Sequence, residues 1–195
     1  MIDSLAVRSF LRVLLYKSLM IVMATIAAPL TLADQNDDRL DPLFTALRNA
    51  GNANVALFIE QQIWGIWMEG PNSSANRLMR RGMRAFQSGE LDRALTHFDE
   101  LVESEPQFAE AWNKRATLHF ARGDYAQAML DIEQTLELEP RHFGALSGLG
   151  IIFMEMNEPA AAIRVFYQVL ELHPLSRSSQ RNVRRLEQQL LDRAT

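Results

Sequence analysis

The chain has 195 residues, 48% of them apolar, with 24 acidic against 20 basic side chains for a net charge of −4. That suits a single domain with a continuous core and argues against a general nucleic-acid or anionic-membrane binder. The absence of cysteine excludes disulfides, thiolate metal sites, thiol nucleophiles and a lipidated cysteine.

Residues 1–33 have the order of a secretory signal peptide. Arg8, Arg12 and Lys17 give a basic start, Ser18 to Ala33 runs for 16 residues without a charge, and Thr31-Leu32-Ala33 offers small residues before Asp34. A bilayer core demands about 20 apolar residues, so cleavage after Ala33 and export to the periplasm is the expectation. An uncleaved inner-membrane anchor is the alternative, and a misassigned start with no export is a third reading. Cleavage leaves 17 basic and 23 acidic residues, a net charge of −6.

Residues 34–74 comprise a polar lead and an N-terminal helical pair. Asp41-Pro42 reads as a helix cap followed by proline at the first helical position, with Leu43, Phe44 and Leu47 on one face and Gly51-Asn52 as the stop. A second helix, about Ala53 to Glu69, carries Val55, Ile59, Ile63 and Ile66 at steps of three and four, a stripe widened by Trp64, Trp67 and Met68. Gly70-Pro71-Asn72-Ser73-Ser74 breaks it.

From Ala75 the chain repeats. Pro106, Pro140 and Pro174 stand 34 residues apart. In the same phase recur Ala94, Ala128 and Ala162, then Phe98, Ile132 and Phe166, then Gly82, Ala116 and Gly150. A fixed period of this kind marks stacked helical units. Helix pairs are expected near 75–88 with 91–104, 109–122 with 125–138, and 143–156 with 159–172. Their turns fall at Ser88-Gly89, Arg122-Gly123 and Met156-Asn157, where a tight turn needs Gly or Asn. The small residues allow close helix approach, Phe98, Ile132 and Phe166 fill the space between pairs, and each proline ends a repeat. Residues 177–195 supply a capping helix from Arg181 to Arg193, with Val183, Leu186, Leu190 and Leu191 facing inward. The N-terminal pair is expected to stack on the opposite end.

These residues resemble the tetratricopeptide repeat family across residues 75–176, in three units of 75–108, 109–142 and 143–176. Trp112 stands at the family's tryptophan position and Leu149-Gly150 at its leucine-glycine pair; Leu78 and Leu146 replace the tryptophan elsewhere. The resemblance implies an all-α fold, a right-handed α-solenoid of stacked antiparallel helix pairs with a concave groove. It also implies a protein-binding scaffold rather than an enzyme. The groove positions it assigns are Asn76, Met79, Met83 and Phe86 in the first unit, Asn113, Thr117 and Phe120 in the second, and Ser147, Ile151 and Met154 in the third. Met79, Met83, Phe86, Phe120, Ile151 and Met154 would make that groove apolar and adaptable, unless a terminal segment folds back over it. The family's carboxylate clamp for chaperone C-termini fails here, since its cations correspond to Met79, Met83, Gly144 and Gly148, and only Lys114 mimics one.

No cofactor or metal is expected. His97, His119, His142 and His173 share no i, i+4 face and read as surface or packing residues. Asp34, Asn36 and Asp38 lack the turn glycine and final glutamate of a calcium loop, and Gly144, Gly148 and Gly150 have the wrong spacing for a phosphate loop. Arg77, Arg80, Arg81 and Arg84, and Arg177, Arg181, Arg184 and Arg185, read first as solvated faces pairing with the acidic excess. The alternative is recognition of an acidic peptide or anionic polymer. The expected partner is a protein or peptide segment, with no nucleic acid, and a membrane only if the leader stays attached.

Overall fold

The computed structural model describes residues 37–194; the signal-peptide and anchor readings of residues 1–33 lie outside them. Among the described residues there are helices and no strands. In chain order these are α1 (Leu40–Arg48), α2 (Ala53–Trp67), α3 (Ser73–Gln87), α4 (Leu91–Ser104), α5 (Ala109–Ala121), α6 (Tyr125–Leu138), α7 (Phe143–Glu155), α8 (Pro159–Leu172) and α9 (Arg177–Ala194). None of them is long and apolar enough to cross a membrane.

The periodicity translates directly into packing. Ala94, Ala128 and Ala162 are fully buried, and Phe98 and Phe166 nearly so. A Cβ at Gly82 would come within 2.6 Å of the Phe98 ring, and one at Gly150 within 2.7 Å of Phe166. The first helix of the first and third units therefore lies against its partner's aromatic ring, and in the second unit Ala116 and Ile132 take these places. Each turn is a Schellman closure: Glu90, Asp124 and Glu158 donate their backbone N–H groups to Ala85, His119 and Phe153. The residues before them, Gly89, Gly123 and Asn157, adopt φ of 75°, 78° and 58°. α4, α6 and α8 each end two residues before the repeat proline, and Trp112 donates its indole N–H to the carbonyl of Pro106 at 2.9 Å.

Element ends differ from expectation where side chains cap. α1 starts at Leu40, with Asp41-Pro42 inside its first turn, because Asp37 accepts the Arg39 N–H at 2.8 Å and the Leu40 N–H on its carbonyl. α9 starts at Arg177 because the Ser176 carbonyl takes the Gln180 N–H. Val183 and Leu186 are buried as expected, but Leu190 and Leu191 are exposed, since α9 runs past the helices it caps.

The N-terminal pair takes a different place from the expected one. It does not stack on the outer end of the first unit. Instead α2, about 22 Å long at 1.5 Å per residue, lies as a strap across the starts of α5, α7 and α9. Trp64 and Trp67 meet His142 and Phe143, Lys114 sits over Trp64, and Glu60 reaches His173. From α1, Phe44 meets Phe143 and Trp67, and Asp41 pairs with Arg141. The reversal is set at Gly70, whose N–H donates to the Asn76 side chain at 3.1 Å. The strap buries Ile59, Ile63 and Ile66, and leaves Val55 and Phe58 exposed. The outer face of α3 could not have received that stripe, because it presents Arg77, Arg81 and Arg84.

Candidate functional site

The first helices of the units, α3, α5 and α7, carry the positions assigned to the groove. Between α5 and α7 lies an apolar cleft of about 330 Å³. Phe120 and Ile151 stand at its mouth, Ile132 and Ile152 form its floor, and Thr117 and Ser147 line its walls. Gly148 keeps the floor open: a Cβ there would only reach van der Waals contact, 3.6 Å from Ile132. Both wall hydroxyls turn back on their own helix, Thr117 to the Asn113 carbonyl at 2.9 Å and Ser147 to the Phe143 carbonyl at 2.7 Å. Their polar atoms are thereby satisfied, so the cleft shows methyl and methylene surface. Phe120 is half-buried and stacks on Tyr125, centroids 5.6 Å apart. Ile151 remains 37% exposed.

The other assigned positions do not share this cleft. Met79, expected in the groove, is 2% exposed and belongs to the core around Phe98 and Phe108, because α3 packs closely on α4. Met83 and Phe86 are half-buried against the same core. Asn76 is spent on the chain reversal, its amide donating to the Asn72 carbonyl at 3.0 Å. Asn113 borders the cleft but is buried, its amide donating to Glu110 at 2.8 Å. Met154 sits at the far end, where its sulfur accepts from Arg185 of α9.

The strap closes the other end of the groove through residues the periodicity does not single out. A Cβ on Gly144 would clash with Trp64, so only glycine lets the strap seat there. Beneath it Glu110, 1% exposed, accepts from His142 at 2.9 Å and pairs with Lys114 at 2.7 Å. Burial pushes the Glu110 carboxyl up, but the His142 hydrogen bond and the Lys114 ammonium outweigh it and hold it below the usual carboxylate range. His142 caps α7, its Nδ1 accepting the Ala145 N–H, so the proton given to Glu110 is on Nε2. A second pair repeats the theme at the strap's other end, where the hydrogen bond from His173 holds Glu60 below its ordinary value against the cost of burial. Lys114, the one clamp-like cation, is thus consumed by Glu110. The signal for these contacts was present in the Trp64–Trp67 pair, whose indoles exceed what a stripe of isoleucines needs. No group of three or more metal-ligating side chains converges among the described residues.

A tetratricopeptide repeat model matches residues 79–137 and 116–177, together just over half of the chain. The chain belongs to the tetratricopeptide repeat (TPR) family. A TPR repeat-containing protein of Rhizobium etli is 31% identical over 111 residues, 51% of this chain and 54% of that protein. The chain thus spans about half the length of the curated relative it matches. The first TPR domain of Spaghetti (RPAP3), bound to the HSP90 peptide SRMEEVD, superposes with a TM-score of 0.58 at 23% identity, covering 60% of this chain and 94% of that domain. The TPR2B domain of yeast Sti1, in complex with pHsp70, gives 0.56 at 18% identity, covering 60% and 99%. MamA gives 0.55 at 16% identity, covering 60% and 64%. At these identities the likeness establishes the shared solenoid. TPR domains are protein–protein interaction modules, and two of these neighbours hold a chaperone peptide or partner.

Proposed function

We propose that this TPR protein is an exported interaction module that holds a segment of another protein in the cleft between α5 and α7 and performs no chemistry of its own. The observation that carries this reading is the open apolar cleft with Phe120 and Ile151 at its mouth. The strap seals its edge at Gly144 with Trp64 and leaves the mouth at Phe120 and Ile151 open. Apolar surface left open beside a device that buries the rest is the usual mark of a contact site. The chemistry fits an apolar anchor side chain on a helical or extended segment, and it does not fit a free carboxylate, because Lys114 is already paired. Export is supported by the basic, apolar and small-residue order of residues 1–33; envelope or secretion assembly is the setting in which such a module would act. N-terminal sequencing separates a mature start at Asp34 from a chain held in the inner membrane by its leader. The groove is tested by Phe120→Glu and Ile151→Glu at the mouth of the cleft: partner capture is expected to be lost with either, at unchanged helicity. Capture that survives both changes removes the groove from consideration.

A further inference from the structure

The outer end of the first unit presents a seat of known shape that none of the described helices fills. In the second unit the corresponding surface is filled: α4 lies against it, bringing Asp99 to Arg115 at 2.9 Å and Asp92 to Arg122. Arg115 is held from its other side by Asp131 at 2.7 Å. Moving back one period of 34 residues, Arg81 takes the place of Arg115, Ser88 that of Arg122 and His97 that of Asp131. Among the described residues no helix lies where α4 would be, because the strap has turned away across the other units. A polar cleft of about 360 Å³ remains there, lined by Arg81, Arg84, Arg93 and His97, with Glu90 as its one carboxylate. Glu90 is paired with Arg93.

Two further substitutions show that this end is built for something other than another unit of the same chain. Ala111 and Leu118, fully buried at the seat of the second unit, become Arg77 and Arg84 in the first. Arg77, Arg80, Arg81 and Arg84 are exposed, and none forms an ion pair among the described residues. An end face meant only for water would mix both signs, and this chain has an acidic excess to draw on. A second copy stacked head to tail would bring α9, with exposed Arg181, Arg184 and Arg185, against these arginines, and like charges would oppose it.

We infer that the outer face of α3 and α4 docks an acidic helix of a partner protein, a carboxylate standing as Asp99 does on α4 to meet Arg81. This surface is separate from the α5–α7 cleft, and either could fail without the other.

The test uses the full chain and a probe the fold itself supplies, a fluorescent peptide of residues 90–105, which carries Asp92 and Asp99. Fluorescence anisotropy is expected to show binding that weakens with added salt. At least a tenfold loss is expected on Arg81→Gln with Arg84→Gln, and the same loss with a peptide bearing Asp92→Asn and Asp99→Asn, which leaves the protein untouched. Phe120→Glu should not change it. Absence of binding, or affinity indifferent to both sets of changes, overturns the inference. So does loss of binding with Phe120→Glu, which would move the peptide into the groove. Arginine-dependent self-association of the chain in sedimentation would make the occupant a second copy, and would equally overturn it.

Discussion

Trp67 lies flat on His142, ring centroids 4.0 Å apart and planes 10° from parallel. The contact joins the strap to the cap of α7, and Phe44, Trp64 and Phe143 enclose it. Trp67 is 3% exposed, yet its indole N–H has no hydrogen-bond partner among the described residues. The residue therefore acts through its apolar surface and stacking, and its nitrogen is a cost.

From this, Trp67→Ala should lower stability by about 3–5 kcal/mol, the range for emptying a buried aromatic site. Trp67→Phe should cost much less, because it keeps a ring over His142 and removes the orphaned donor. Urea unfolding followed by far-UV circular dichroism compares the two. Equal losses would mean that the stack contributes nothing particular.

The pair beneath the strap should make the protein sensitive to acid. Glu110 and Glu60 are both held below the ordinary carboxylate value of 4.5. Their contribution is complete above that value and is lost as pH falls through the lower folded values. Denaturation midpoints measured from pH 7 to pH 3 should fall steeply at the acid end for the parent chain. Glu110→Gln should be less stable at pH 7, with a shallower acid limb, since it removes the charge but leaves Lys114 and His142 in place. Identical acid limbs would place the proton-linked stability elsewhere.

Glycines of the repeat should separate into two kinds. Gly150→Ala drives a methyl group into the Phe166 ring, and about 1–3 kcal/mol is expected for such overpacking. Pairing it with Phe166→Leu should recover part of that loss. Gly123 has open space around it but a φ of 78°, so Gly123→Ala should cost about 1–2 kcal/mol from backbone strain alone. Phe166→Leu should not relieve it. Thermal unfolding of the single and double variants distinguishes the two; rescue of both, or of neither, contradicts the assignment.

What could be read in advance divides along a physical line. The solenoid was legible because its information is local and repeated: a small residue opposite a large apolar one, a left-handed residue at each turn, a proline two residues past each second helix. Thr117, Phe120, Ser147 and Ile151 could be assigned to one groove because the family resemblance, set on that register, implies those positions on the inner helices. Met79 was placed on that face too, but packing against Phe98 and Phe108 decides its burial. A terminal segment folding back over the groove was open as an alternative, but the seat of the strap was illegible because it does not repeat. Its partners His142, Glu110 and His173 lie far along the chain from Trp67, Trp64 and Glu60, and only the folded chain shows that Gly144 is small to admit an indole.

The α5–α7 cleft as the point of partner contact is tested most directly by placing a photo-activated crosslinking residue at Ile151, and in a second chain at Leu130. Leu130 is 52% exposed but does not line the cleft. Irradiation in the native compartment should give a discrete adduct from position 151, abolished by Phe120→Glu, and none from position 130. An adduct of equal yield from position 130, or one at 151 indifferent to Phe120→Glu, would contradict a partner held in the groove.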